Sequence, residues 1–259
     1  EALALHEGEG RVLQVAVEAA RDGEPSRIRV YSRDAALAGG EWTLHASASP
    51  GTAGPPALDD PRTLEAIAAG LSDPIDVEPF YDRLRGLGAD FGTRFRTMRR
   101  AWRAPGEALA EIGIAPELVA EGGRYFVHPA VLDACLHACA VALDTLPGAD
   151  AGTMYLPVGV DRYQWYARPE CAVRSHVKVR APAVLGDMVV LDLRIETLAG
   201  TPVARLEGLR CRRASRDMFR RRIESQVAEW LYEPAWPPQP LAAREPASLR
   251  GAWVVLDDG

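Results

Sequence analysis

The 259 residues are 47% apolar and 25% charged, ordinary proportions for a globular protein, so disorder along the whole chain is excluded. A net charge of -6 argues against a general nucleic-acid binder, which would be basic. No run approaches the roughly 18 apolar residues that a membrane-spanning helix needs.

The length suits one large domain or two modest ones. Glu1–His6 shows no basic stretch followed by an apolar core, so no leader peptide is read there. Cys135, Cys139, Cys171 and Cys211 are too few for a disulfide scaffold and match no zinc spacing. They read as free buried thiols of a cytoplasmic protein.

Residues 12–17, 27–31 and 42–47 have strand character, and Arg21–Pro25 carries turn chemistry between the first two. Pro50–Pro56 has the composition of a linker. A short helix is expected over Val77–Leu87, where Phe80, Leu84 and Leu87 recur at helical spacing and Gly88 stops it. Phe95–Trp102 and Ala108–Ile114 read as a hairpin turning at Ala104–Gly106. His128–Leu143 is the strongest helix signal in the chain. It is apolar nearly all round, has Pro129 in its first turn and ends before Pro147-Gly148. Four strands should follow, at Leu156–Trp165, Ala172–Val179, Met188–Glu196 and Pro202–Cys211. An antiparallel sheet curved around one buried helix is the simplest assembly of these parts, an α+β fold.

Asp133 and His137 stand four apart on that helix and so share one face. A carboxyl in apolar surroundings has its pKa raised, because desolvation disfavours the anion. It can then act as a general acid near neutral pH, with the imidazole orienting it. The alternative is a self-satisfied pair with no chemistry. A metal site built from Cys135, His137 and Cys139 is rejected, because those three side chains diverge around the helix.

His128-Pro-Ala-Val-Leu-Asp-Ala-Cys-Leu-His137 resembles the HPxxxDxxxQ/H motif of dehydratase domains in modular type I polyketide synthases. Gly88-Ala-Asp-Phe-Gly-Thr-Arg-Phe95 is similar to their GYxYGPxF stretch, Leu156-Pro-Val158 to their LPF stretch, and Trp42-Thr-Leu-His-Ala46 to their W-x-x-H-A strand. The resemblance covers about residues 1–213. It implies a double hotdog, two sheets each wrapping a helix, with residues 1–50 as the last strands of the first and 76–213 as the complete second. Residues 51–75 would link them. Residues 214–259 would form an exit linker and the first strand of a ketoreductase structural half, because Trp230–Trp236 resembles the segment that enters such a region.

The resemblance also implies a reaction: loss of water from a (3R)-3-hydroxyacyl thioester on the phosphopantetheine arm of an acyl carrier protein. Asp133 would be the acid and His137 its support. Phe91, Gly92, Leu156, Pro157, Val158 and His128 would shape the pocket. No metal and no cofactor of the domain's own is implied. Ketosynthase, acyltransferase and ketoreductase domains would be neighbours, in a homodimer.

The family's base, a histidine in HxxxGxxxxP, has no counterpart among His6, His45, His128, His137 and His176, and is expected upstream of Glu1. Ala89, Thr93 and Val158 replace the family's Tyr, Pro and Phe. These departures keep two alternatives open: a catalytically silent domain of the same fold, and a double-bond isomerase or oxa-cyclase. For His128 a helix-capping role competes with a pocket role. For the arginines of Arg210–Arg222, a solvated linker helix competes with carrier-protein docking through Arg212, Arg213 and Arg216.

Overall fold

The computed structural model describes residues 3, 5, 8–20, 25–37, 39–51, 54, 63–150, 152–169, 172–180 and 186–215. The expectations for 216–259, for Arg216, for Cys171 and for His6 lie outside these residues.

Three antiparallel strands come first: β1 (Arg11–Glu18), β2 (Arg27–Asp34) and β3 (Thr43–Ala48), in that spatial order. Buried Ser32 of β2 meets His45 Nε2 of β3 at 2.7 Å, tying the two strands through side chains.

The larger sheet has eight strands. They are β4 (Asp73–Ile75), β5 (Met98–Ala104), β6 (Glu107–Ile112), β7 (Thr153–Gly159), β8 (Arg162–Trp165), β9 (Val173–Val179), β10 (Met188–Thr197) and β11 (Pro202–Ser215). Their order is β4-β5-β6-β9-β10-β11-β7, with β8 also on β11, and the pairings are antiparallel. The helices are α1 (Leu64–Gly70), α2 (Val77–Gly86), α3 (Pro116–Glu121) and α4 (Pro129–Leu143).

The hairpin between β5 and β6 and the helix α2 stand where the sequence places them, although β5 starts three residues later than expected. Gly92 explains the delay, since its carbonyl accepts from the amides of Phe95 and Arg96 and closes a turn there. The strand expected over Leu156–Trp165 is two strands, β7 and β8, both paired with the long β11. Gly208 sits between those pairings with φ +61, and a Cβ there would strike the Asp161 carboxylate. The backbone bend that glycine accepts here separates the two short partners.

The expected linker 51–75 is corrected over its second part, which holds α1 and β4. Thr63 Oγ1 accepts from the Ala66 amide as the N-cap of α1. Leu64, Ile67 and Leu71 then pack on Leu109 of β6 in a small cluster of their own on the sheet. The arginine run is corrected as well: Arg210, Arg212 and Arg213 belong to β11, not to a helix.

α4 is the centre of the fold. His128 is its N-cap, with Nδ1 accepting from the Ala130 amide at 3.1 Å. Ala134, Ala138 and Ala142, one turn apart, are fully buried. Such small side chains let the helix lie close on the sheet, where it packs on β5, β6 and β9. Ser175 of β9, also fully buried, donates from Oγ to the mid-helix carbonyl of Cys135 at 2.9 Å. Leu109 and Ala214 excepted, the buried apolar side chains of β6, β9, β10 and β11 join the same core.

Candidate active site

The other face of α4 opens into a cavity of about 200 Å³. Asp133, Leu136, His137, Ala140, Leu143 and Asp144 line it, the i, i+3, i+4, i+7 stripe of a helix. Leu84 of α2, Ala89 and Phe91 supply the wall on one side. Residues Thr153–Pro157 of β7 and Cys211 of β11 supply the wall on the other.

Asp133 and His137 are brought together. Nε2 of the imidazole lies 3.2 Å from Oδ2 of the carboxylate, but off the line of a good hydrogen bond, so this nitrogen has no aligned partner among the described residues. The Tyr81 hydroxyl of α2 sits 3.1 Å from Nδ1. Phe91 covers the imidazole with ring centroids 4.3 Å apart. His137 is buried, whereas the Asp133 side chain is 40% exposed. The expectation of a carboxyl enclosed by apolar groups is therefore not met by the described residues: Asp133 stands at the rim of the cavity.

Of the residues expected to shape the pocket, Leu156, Pro157 and Phe91 line the cavity. The other three do not. Gly92 is spent in the turn described above and is exposed. Val158 is 57% exposed, because Cys211 pairs with Pro157 and Arg210 with Gly159, leaving Val158 as the extra residue of a bulge. His128 is a cap, its Nε2 facing Glu121 at 3.4 Å and its ring edge-on to Tyr125. Tyr155, the residue before Leu156, also lines the cavity, and its hydroxyl donates to the Gly186 carbonyl.

Sequence reasoning missed the far end of the cavity, where the Arg83 guanidinium pairs with the Asp144 carboxylate. Burial raises the Asp144 carboxyl above its ordinary value against the pull of Arg83. Asp144 could have been found, since it continues the stripe of Asp133 by three turns. Arg83 and Tyr81 could not, since nothing in the spacing links them to residues more than fifty positions away. Cys139 and Cys211 also reach the cavity, yet burial pushes the Cys211 thiol up to about 12 and the Cys139 thiol well above its usual value. Neither offers a thiolate near neutral pH. Among the described residues, no three His, Cys, Asp or Glu side chains converge on a metal position.

A helix carrying an acid and an imidazole beside a mostly apolar slot suits proton transfer to or from a substrate with an aliphatic chain. The family model described as "Polyketide synthase dehydratase N-terminal domain" matches residues 59–221. The chain is 31% identical over 254 residues to the polyketide synthase GfsE of Streptomyces halstedii, an alignment covering 97% of the chain and 6% of that protein. It is 36% identical over 250 residues to the spectinabilin polyketide synthase system protein NorB of Streptomyces orinoci, covering 95% of the chain and 10% of that protein. The chain thus spans a small fraction of the length of these relatives. Among solved structures, it is similar to the dehydratase domain of the CurF module of the curacin polyketide synthase. The two share 27% identity and a TM-score of 0.69, over 83% of this chain and 73% of that one.

Proposed function

Since this chain belongs to the dehydratase family of polyketide synthases, we propose that it removes water from a (3R)-3-hydroxyacyl thioester during polyketide assembly. The thioester is carried on the phosphopantetheine arm of an acyl carrier protein. The observation that supports this reading best is the Asp133–His137 pair on the cavity face of α4, with an apolar slot running away from it along the helix.

In the proposed step, a base takes the α-proton and the C–H electrons become the new Cα–Cβ double bond. The Cβ–O bond breaks, and Asp133 gives its proton to the departing oxygen, so that water leaves. The base is the family's histidine, which none of these 259 residues matches. His137 holds the carboxyl and the oxygen in place. Phe91, Leu156 and Pro157 keep water from the reacting carbons. Arg212 and Arg213, exposed on β11, are the proposed contacts for an acidic carrier protein. Neighbouring synthase domains and a homodimer belong to the same proposal.

The decisive experiment uses a protein that contains this segment together with the family's histidine motif. A 3-hydroxyacyl carrier protein is supplied, and the loss of one water is read by mass. Asp133→Asn should lower the rate by about a hundredfold or more. An unchanged rate removes Asp133 from the mechanism. A second reading, a domain of the same fold that no longer dehydrates, draws on the exposure of Asp133 and on Gly92 turning away from the cavity. Absence of turnover in the unsubstituted protein selects it.

A further inference from the structure

Tyr81 is buried behind the site, 3% accessible, and does not itself line the cavity. Its hydroxyl lies 3.1 Å from His137 Nδ1, and the two rings meet edge-on with centroids 5.5 Å apart. Among the described residues Nδ1 is the one acceptor in hydrogen-bond reach of this buried hydroxyl, so its proton is directed at the imidazole. Burial pushes the phenol up to about 12, so the proton stays on Tyr81 across the working range.

A neutral imidazole carries one N–H, and the nitrogen that accepts from a neighbour decides which. Here Nδ1 accepts from Tyr81, which leaves the proton on Nε2. That nitrogen lies 3.2 Å from Asp133 Oδ2, is buried and has no aligned partner among the described residues. Arg96 is stacked 5.1 Å over the Tyr81 ring and paired with Glu78, so it does not compete for Nδ1.

We propose that Tyr81 is a positioning residue that holds His137 in the Nε2–H tautomer, so that the imidazole presents a donor to the carboxyl and the departing oxygen. The proposal rests on the dehydratase reading for the identity of that oxygen, but the tautomer is a property of the chain alone. Tyr81 thereby makes the histidine behave as a side-chain amide would, with a fixed N–H beside Asp133. With the tautomer left free, the Nδ1–H form would turn a bare lone pair toward Asp133.

Imidazole 15N chemical shifts in histidine-labelled protein test this without reference to activity. The His137 signals are identified by their loss in His137→Gln. The unsubstituted chain should show a protonated Nε2 and a bare, hydrogen-bonded Nδ1. In Tyr81→Phe, which keeps the ring and its packing, the two nitrogens should move toward a mixture of tautomers. Unchanged shifts in Tyr81→Phe overturn the proposal.

Turnover supplies the second arm. Tyr81→Phe should lower the dehydration rate about tenfold in the His137 protein, the worth of one misdirected hydrogen bond. In the His137→Gln background, where the amide has no tautomer to set, the same substitution should change the rate by less than about twofold. An equal loss in both backgrounds means that Tyr81 acts by packing, and overturns the proposal. If the unsubstituted protein does not dehydrate, the functional reading fails, while the shifts still report on Tyr81.

Discussion

At the far end of the cavity, burial holds the Asp144 carboxyl above its ordinary value of 3.8 although Arg83 pulls it down. A raised carboxyl binds its proton more tightly folded than unfolded. Its contribution is therefore complete below the ordinary value and is lost as pH rises through the higher folded one. Asp144→Asn keeps an acceptor for Arg83 and removes the titration. Melting temperatures of the unsubstituted chain and of Asp144→Asn, compared from about pH 3 to about pH 7, isolate this group. The unsubstituted chain should lose stability relative to the variant as pH rises across that window. The thiols give a second residue-scale prediction. Cys135 and Cys211 are pushed up to about 12 by burial, and Cys139 well above its usual value. At about pH 8, an alkylating reagent should leave all three unmodified in the folded protein and label them on unfolding, as peptide mass spectrometry would show. At this scale Asp133 and His137 were legible, because a four-residue spacing on a helix is geometry. Val158 and Gly92 were not, because a bulge and a turn redirect individual side chains without leaving any periodic trace.

Among the elements, α4 was the easiest to read, since its cap, its Pro129 and its nearly continuous apolar character agree with one another. α1 was hidden in a stretch whose proline and glycine content says linker, and only three apolar positions mark it. Those three sit on Leu109, which is fully buried and belongs to a separate small cluster. Leu109→Ala should cost about 2–5 kcal/mol by chemical denaturation. It should also speed amide exchange in α1 well before that of α4, whose packing lies on the other side of the sheet. Equal acceleration in both helices would show that α1 is not held by this contact. The split of the expected Leu156–Trp165 strand has the same kind of cause as the misplacement of Val158, a local backbone irregularity, here fixed by Gly208.

For the molecule as a whole, the slot along α4 runs from Asp133 to Asp144, which is about 16 Å at about 1.5 Å per residue. Its depth is a product of α2, β7 and α4 meeting in space, and no one-dimensional pattern contains it. The fold class was legible, because a series of strands with one nearly all-apolar helix among them leaves few ways to bury that helix. Given the proposed reaction, Ala140 stands midway along the slot and sets how long an acyl chain can lie there. Ala140→Phe should lower kcat/KM for a long-chain 3-hydroxyacyl thioester about tenfold or more, and leave a short-chain one nearly unchanged. A parallel loss for both would place the acyl chain elsewhere.

The Ser175 hydroxyl bonded to the Cys135 carbonyl bears on the geometry of the whole cavity. A helix that lies on a sheet through Ala134, Ala138 and Ala142 has little surface relief there to stop it sliding. One polar latch from β9, two residues beyond Asp133, supplies the missing axial stop. The height of Asp133 along the cavity is thus governed by a strand hydroxyl that does not itself line it.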